Sequence, residues 1–123
     1  MREIKFRAWD TEEKEMLDWD KFFNLDIAQV FESKGSWGVY PMQYTGLKDK
    51  NGVEIYEGDI VETVYNGEVF AGVVVYDLSE VDFKVTDGKE KYGRNFQYLA
   101  GNDENEVIGN IYENPELLES KKD

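Results

Sequence analysis

Glu57 and Asp59 bracket Gly58 within the stretch Gln43 to Val61, QYTGLKDKNGVEIYEGDIV, and they are the first pair of side chains to weigh for chemistry. A glycine turn can bring two carboxylates to one rim, which leaves a carboxylate mechanism open. The plainer reading is preferred: Asp59 bonds its own turn and Glu57 sits in water. The chain of 123 residues has no His and no Cys, so the usual nucleophile and base pairs, Cys or His metal sites and imidazole acid–base work are excluded. Asp49-Lys50-Asn51-Gly52 and Asp103-Glu104-Asn105-Glu106 offer oxygen ligands at alternate positions. Neither continues into the spacing of a calcium-binding EF-hand loop. There is no glycine-rich loop followed by Lys and Ser or Thr to cradle a phosphate. The expectation is a chain that is not an enzyme, with no catalytic residue, no cofactor, no metal and no small-molecule ligand.

The formal net charge of -13 argues against nucleic acid as a direct ligand, because phosphate binding depends on Lys and Arg. Between Lys50 and Lys84 there is no basic residue, while Glu54, Glu57, Asp59, Glu62, Glu68, Asp77, Glu80 and Asp82 are all acidic. The run from Asn95 to Ser120 also lacks a basic residue. Basic charge is left to the first fifty residues, to Lys84, Lys89, Lys91 and Arg94, and to the tail. Such acidity keeps a strand-rich protein soluble, and that is the first explanation for it. The sharper one is an acidic face that meets a basic partner.

The elements that must position these groups follow from the pattern along the chain. Residues 1–123 read as one domain, long enough to bury roughly two thirds of its unfolded surface. No run approaches the roughly 18 apolar residues of a membrane helix, and MREIKFRAWD lacks the apolar core of a signal peptide. A cytoplasmic protein with no membrane partner is expected, and the absence of cysteine agrees with it.

Arg2 to Trp9 alternates Ile4, Phe6 and Ala8 against Lys5, Arg7 and Trp9, the period of a half-buried strand, and Met16-Leu17 returns as its hairpin partner. In Asp18 to Ser33, Phe22, Phe23, Ile27, Val30 and Phe31 fall at helical spacing with Asp20 as a cap, while Leu25, Ile27, Gln29 and Phe31 also fit a strand. One short helix near 20–33 is the preferred reading. Trp37 closes the loop Gly35-Ser36-Trp37-Gly38 as a lid over the core edge or an exposed contact, the lid being favoured. Asn51-Gly52 marks a tight reversal before Val53 and Ile55, and Gly58-Asp59 a second bend before Ile60-Val61.

Asn66-Gly67 is a strong hairpin signal between Ile60 to Tyr65 and Glu68 to Tyr76. A two-residue loop sets Tyr65 opposite Glu68, Val64 opposite Val69, Thr63 opposite Phe70, Glu62 opposite Ala71 and Ile60 opposite Val73. One face then collects Ile60, Val64, Val69, Ala71, Val73 and Val75 as the main expected core. The other carries Val61, Thr63, Tyr65, Phe70, Val74 and Tyr76, which is too apolar to face water alone. Either a second layer of the fold covers it or another subunit does. On the second reading Val61, Thr63, Tyr65, Phe70 and Tyr76, with Trp37, are the expected partner-binding residues.

Val81, Phe83 and Val85 alternate with Asp82 and Lys84 as a further strand, with Asp87-Gly88 as its turn. A two-residue loop there would oppose Lys84 to Lys91, so a bulge or longer loop is expected. Phe96, Tyr98 and Leu99 are read on one turn of helix, Glu106 to Tyr112 as the last strand, and Asn114-Pro115 as the start of a short C-terminal helix, with Asn114 as its cap. Ser120 to Asp123 should fray. These elements imply a mainly β fold, a compact antiparallel barrel or packed sheets with an SH3-like central part.

Three pieces of sequence carry a family likeness: REIKFRAWD at Arg2 to Asp10, QYTGLKDKNGVEIYEGDIV at Gln43 to Val61, and VIGNIYENPELL at Val107 to Leu118. In them the chain resembles the YopX-like family of small phage and prophage proteins. The resemblance implies a phage or prophage origin, a mostly β fold and a place in an infected or lysogenic bacterial host. It designates no catalytic residue. Together these readings point to a non-enzymatic protein-interaction or self-assembly module whose partner is a protein or a second copy of the chain. The alternative is an acidic mimic of DNA that occupies a host nucleic-acid-binding protein.

Overall fold

The computed structural model of the chain describes residues 3–33, 38–65, 67–86, 96–101 and 103–119. They are mainly β, with curled antiparallel sheets forming a half-barrel and a few short helices.

The first hairpin is β1 (Phe6–Asp10) and β2 (Glu15–Leu17), with Ala8 opposite Leu17 and Asp10 opposite Glu15. The Asp10 carboxylate turns the chain by accepting from the N–H groups of Glu12 and Glu13. Two helices follow where one was expected: α1 (Trp19–Phe23) and α2 (Ile27–Ser33). Asp18, not Asp20, caps α1, its carboxylate accepting from Lys21 N–H at 3.0 Å. Asp26 does the same for Gln29 at the start of α2, so a fresh cap splits the segment.

The chain then enters β3 (Val39–Lys48), which pairs with β1 on one side and β4 (Glu54–Tyr56) on the other, giving a sheet of order β2-β1-β3-β4. The sequence pattern does not reveal β3, because Pro41 and Gly46 interrupt its alternation and its register shifts between Tyr44 and Lys48. The Asn51-Gly52 reversal forms as expected, with Gly52 at φ +86°.

The second sheet has the order β8-β7-β6-β5-β9. Its centre is the hairpin of β5 (Asp59–Tyr65) and β6 (Glu68–Asp77), in the register read from the sequence: Tyr65 faces Glu68, Thr63 faces Phe70 and Ile60 faces Val73. Asn66 itself lies outside the described residues. β7 (Asp82–Thr86) pairs with β6, and β8 (Phe96–Tyr98) with β7, so Lys84 lies opposite Tyr98. Phe96 and Tyr98 therefore sit on a strand rather than a helical turn. The expected turn at Asp87-Gly88, and Lys91, lie outside the described residues. β9 (Glu106–Asn110) closes the other edge on β5, and α3 (Glu116–Glu119) follows Pro115. The Asn114 side-chain oxygen accepts from the N–H of Asn110 at 3.2 Å, and its carbonyl accepts from Leu117 N–H at 3.1 Å where the helix starts. The fraying expected of Ser120 to Asp123 falls on residues outside the described ones.

Two apolar clusters fill the molecule. One joins Ile55, Val61, Val74, Phe83, Val85 and Leu99, with Leu47, Phe70, Tyr76 and Val107 packed on it. The other joins Ala8, Leu17, Phe22, Val30 and Val39, with Phe6, Trp19 and Leu25 packed on it. The first cluster corrects the core reading of the hairpin. Its inner face is the one carrying Val61, Val74 and Phe70, because β4, β7 and Leu99 deliver their side chains to that side. On the face expected to be core, Ile60 and Ala71 are buried, but Val69 is 64% exposed.

Candidate interaction surface

The carboxylates that opened the chemical question are engaged in holding the fold. Asp59 is buried, accepting from Arg7 Nη2 at 2.7 Å through one oxygen and from Tyr56 N–H at 2.8 Å through the other. The Arg7 guanidinium lies over the Tyr56 ring, 4.6 Å from its centroid. Asp59 thus bonds its own turn, as expected. Burial pushes its carboxyl up, and the charge of Arg7 and the Tyr56 N–H hold it back. Glu57 departs from the expectation of a side chain in water: its carboxylate accepts from Gln43 N–H at 2.7 Å. Gly58 between them stands at φ +84°, which glycine adopts without strain.

Asp49, weighed as a calcium ligand, accepts from the N–H groups of Asn51 and Val53 through one oxygen and of Val107 through the other. Those donors occupy the lone pairs a cation would use. Among the described residues, no three acidic side chains gather in the way a metal ion would need.

Four of the expected partner-binding residues, Val61, Thr63, Phe70 and Tyr76, are turned inward. Val61 and Thr63 are fully buried, and Phe70 and Tyr76 pack on the first cluster, Tyr76 meeting the edge of Phe83 at 4.9 Å. The second layer of the fold covers this face, so Val61 and Thr63 have no surface to offer another subunit. For Tyr65 the strand position is described but the side chain is not, and Trp37 lies outside the described residues.

Exposed apolar surface gathers instead on the two helices. Phe22 and Val30 are fully buried and fix α1 and α2 on the first sheet, while the next residue along each helix faces out: Phe23 is 62% exposed and Phe31 41%. One step along a helix turns the side chain about 100°, so one of each pair reaches the core and its neighbour flanks it. The rings form a chain, edge to face at Phe6–Phe31 and Trp19–Phe23 and tilted at Phe6–Trp19. Phe6 meets Phe31 at 5.2 Å and Trp19 at 6.2 Å, and Trp19 meets Phe23 at 5.4 Å. The result is an aromatic surface rooted in the core through Phe22. The doublets Phe22-Phe23 and Val30-Phe31 were its trace in the sequence, but a helical stripe wide enough for i, i+3 and i+4 can bury adjacent residues, so the doublets alone did not tell core from surface. The sequence reading places all four at the spacing of a single amphipathic helix.

The side chains around this surface are mostly acidic. Asp18, Asp20, Asp26 and Glu32 are exposed, and Lys21 is the one basic residue on the segment 18–33. A second exposure lies at the β6–β7 turn, where Leu78 and Val81 are 83% and 72% exposed. Lys84 braces that turn, reaching Asp77 at 2.7 Å and Glu80 at 3.0 Å, and Glu80 also accepts from the Tyr98 hydroxyl at 2.7 Å. Among the described residues no helix is long and apolar enough to cross a membrane.

The family model described as YopX protein matches residues 5–119 of the chain. Among curated proteins none matches it. Among solved structures, the crystal structure of protein EF1440 from Enterococcus faecalis is similar, with 29% sequence identity and a TM-score of 0.56, covering 96% of this chain and 99% of that one.

Proposed function

The chain belongs to the YopX family, and from that premise we propose that it is a non-enzymatic protein-interaction module of phage or prophage origin, acting in the bacterial cytoplasm through the aromatic surface of α1 and α2. One observation carries the reading: Phe23 and Phe31 stand out in solvent on either side of Phe6 and Trp19, on helices anchored by the buried Phe22 and Val30. Clustered aromatic rings on a rigid base are what interface anchors are made of. The acids weighed for catalysis, Glu57 and Asp59, and for calcium, Asp49, support it in another way, because they accept from Arg7 and from backbone N–H groups.

The acidic-mimic alternative has less behind it. Within the long acidic stretch, Asp59 is buried against Arg7, Glu54 is paired with Lys5 at 2.7 Å, and Asp77 and Glu80 are paired with Lys84. A phosphate rail calls for charges presented together to solvent, and these are neutralised locally.

The test is a paired capture experiment. The chain and its Phe23→Ser/Phe31→Ser variant, which keeps every charge, are immobilised at equal density and exposed to bacterial lysate. A protein retained by the first and lost from the second is the expected result. Identical retention patterns would sink the proposal.

A further inference from the structure

The side chains that ring the aromatic surface say what kind of partner it fits. Asp18 and Asp26 cap the two helices that carry Phe23 and Phe31, Asp20 and Glu32 lie on them, and Lys21 is the lone cation of the segment 18–33; all five are exposed. Lys5, the residue before β1, is committed to Glu54 at 2.7 Å and to Glu3 at 3.7 Å. An apolar centre inside an acidic rim selects its opposite, an apolar anchor flanked by positive charge.

Other occupants meet that rim unfavourably. A second copy docking this surface on itself would set the same acids against one another, since a two-fold contact places identical patches face to face. A heterologous contact through the chain's own basic stretch finds Lys84, its first member, already held by Asp77 and Glu80. An anionic lipid surface or a nucleic acid repels the rim outright. We infer that the surface takes a cationic amphipathic segment of a partner protein, apolar side chains seating on Phe23, Phe31 and Trp19 while its lysines or arginines meet Asp18, Asp20, Asp26 and Glu32. This rests on the interaction reading above. Helical segments dock in this way by laying an apolar stripe along a matching surface.

Two synthetic helical peptides with the same leucine stripe, one with lysine and one with glutamate on the polar face, are titrated into the isotopically labelled chain and followed by NMR. The lysine peptide should shift the backbone resonances of residues 19–31, and its affinity should fall about tenfold between about 50 mM and about 300 mM NaCl as screening weakens the rim. The glutamate peptide should leave them in place. The Phe23→Ser/Phe31→Ser variant should lose the lysine peptide. Should that variant fold poorly by circular dichroism, Asp20→Lys/Glu32→Lys keeps the rings and should lose the preference for lysine over glutamate.

Equal binding of both peptides, lysine-peptide binding untouched by loss of the two phenylalanines, or shifts of 19–31 that grow with the chain's own concentration would each overturn the inference. So would silence toward both peptides. If the paired capture experiment still succeeds, the interaction reading survives that silence. If capture also fails, both fall together.

Discussion

Arg7 on β1 donates to Asp59 on β5 at 2.7 Å, joining the two sheets across 52 positions of sequence with both side chains largely withdrawn from water. Removing one partner of such a pair leaves a buried charge without compensation, which typically costs about 3–5 kcal/mol. Arg7→Met should therefore lower stability in urea denaturation by about 3 kcal/mol, near the lower end because Arg7 keeps some exposure. The pH dependence has a definite sign. Burial raises the Asp59 carboxyl in the folded state, so its contribution to stability is present below the ordinary value near about 4 and is lost as pH rises through the higher folded value. Arg7→Met widens that interval, and its deficit should be larger near about pH 7 than near about pH 4. A deficit independent of pH would show that Arg7 acts by packing alone.

Asp49 predicts the opposite slope. Burial raises its carboxyl, but the N–H groups of Val107, Val53 and Asn51 outweigh that and hold it below its ordinary value. Its stabilisation is present above about 3.9, the unfolded value, and is lost as pH falls through the folded one. Asp49→Asn turns an amide donor toward one of those N–H groups and should cost about 2–3 kcal/mol at neutral pH. It should also flatten the acid limb of the stability curve, measured by urea denaturation at a series of pH values. An unchanged acid limb would assign that limb to other carboxylates.

Gly72 tests the contact of β6 with β7. A methyl group there would lie 2.5 Å from the Thr86 carbonyl oxygen and 2.9 Å from Val85 Cγ1, with backbone on one side and core on the other. Gly72→Ala should lose about 1–3 kcal/mol by overpacking. Thermal unfolding within a degree of the parent would mean that the two strands separate freely there.

Val81 holds φ +55° in the β6–β7 turn with its side chain in solvent. For a β-branched residue that conformation is costly, roughly 1–2 kcal/mol. Val81→Asn keeps the turn and suits the left-handed region, so it should raise stability by about 0.5–1 kcal/mol. A fall in Tm would reveal that the valine side chain supports the turn.

Local chemistry made much of this molecule legible from residue order. Asn66-Gly67 implied the register that sets Tyr65 against Glu68, Gly58-Asp59 implied a bend capped by its own carboxylate, and the spacing from Glu106 implied a last strand. Each is decided within a few residues by turn geometry and alternation. The strand β3 escaped because Pro41 and Gly46 break the alternation that would have shown it, and pairing with β1 makes up for them.

Which side of a sheet faces inward is not a local property. Period-two alternation says that Val61, Thr63 and Phe70 share one face and Ile60, Val64 and Val69 the other, and both faces are apolar. Only the arrival of Ile55 on β4, Phe83 and Val85 on β7 and Leu99 after β8 buries the first and leaves Val69 in water. For the same reason the exposed phenylalanine rings lie on α1 and α2 rather than on the hairpin. Residue types established in advance that the chain had more apolar side chains than one core face could hold. The assembled sheets determined that the surplus is Phe23 and Phe31, because α1 and α2 dock on them through Phe22 and Val30 and leave the neighbouring rings outside.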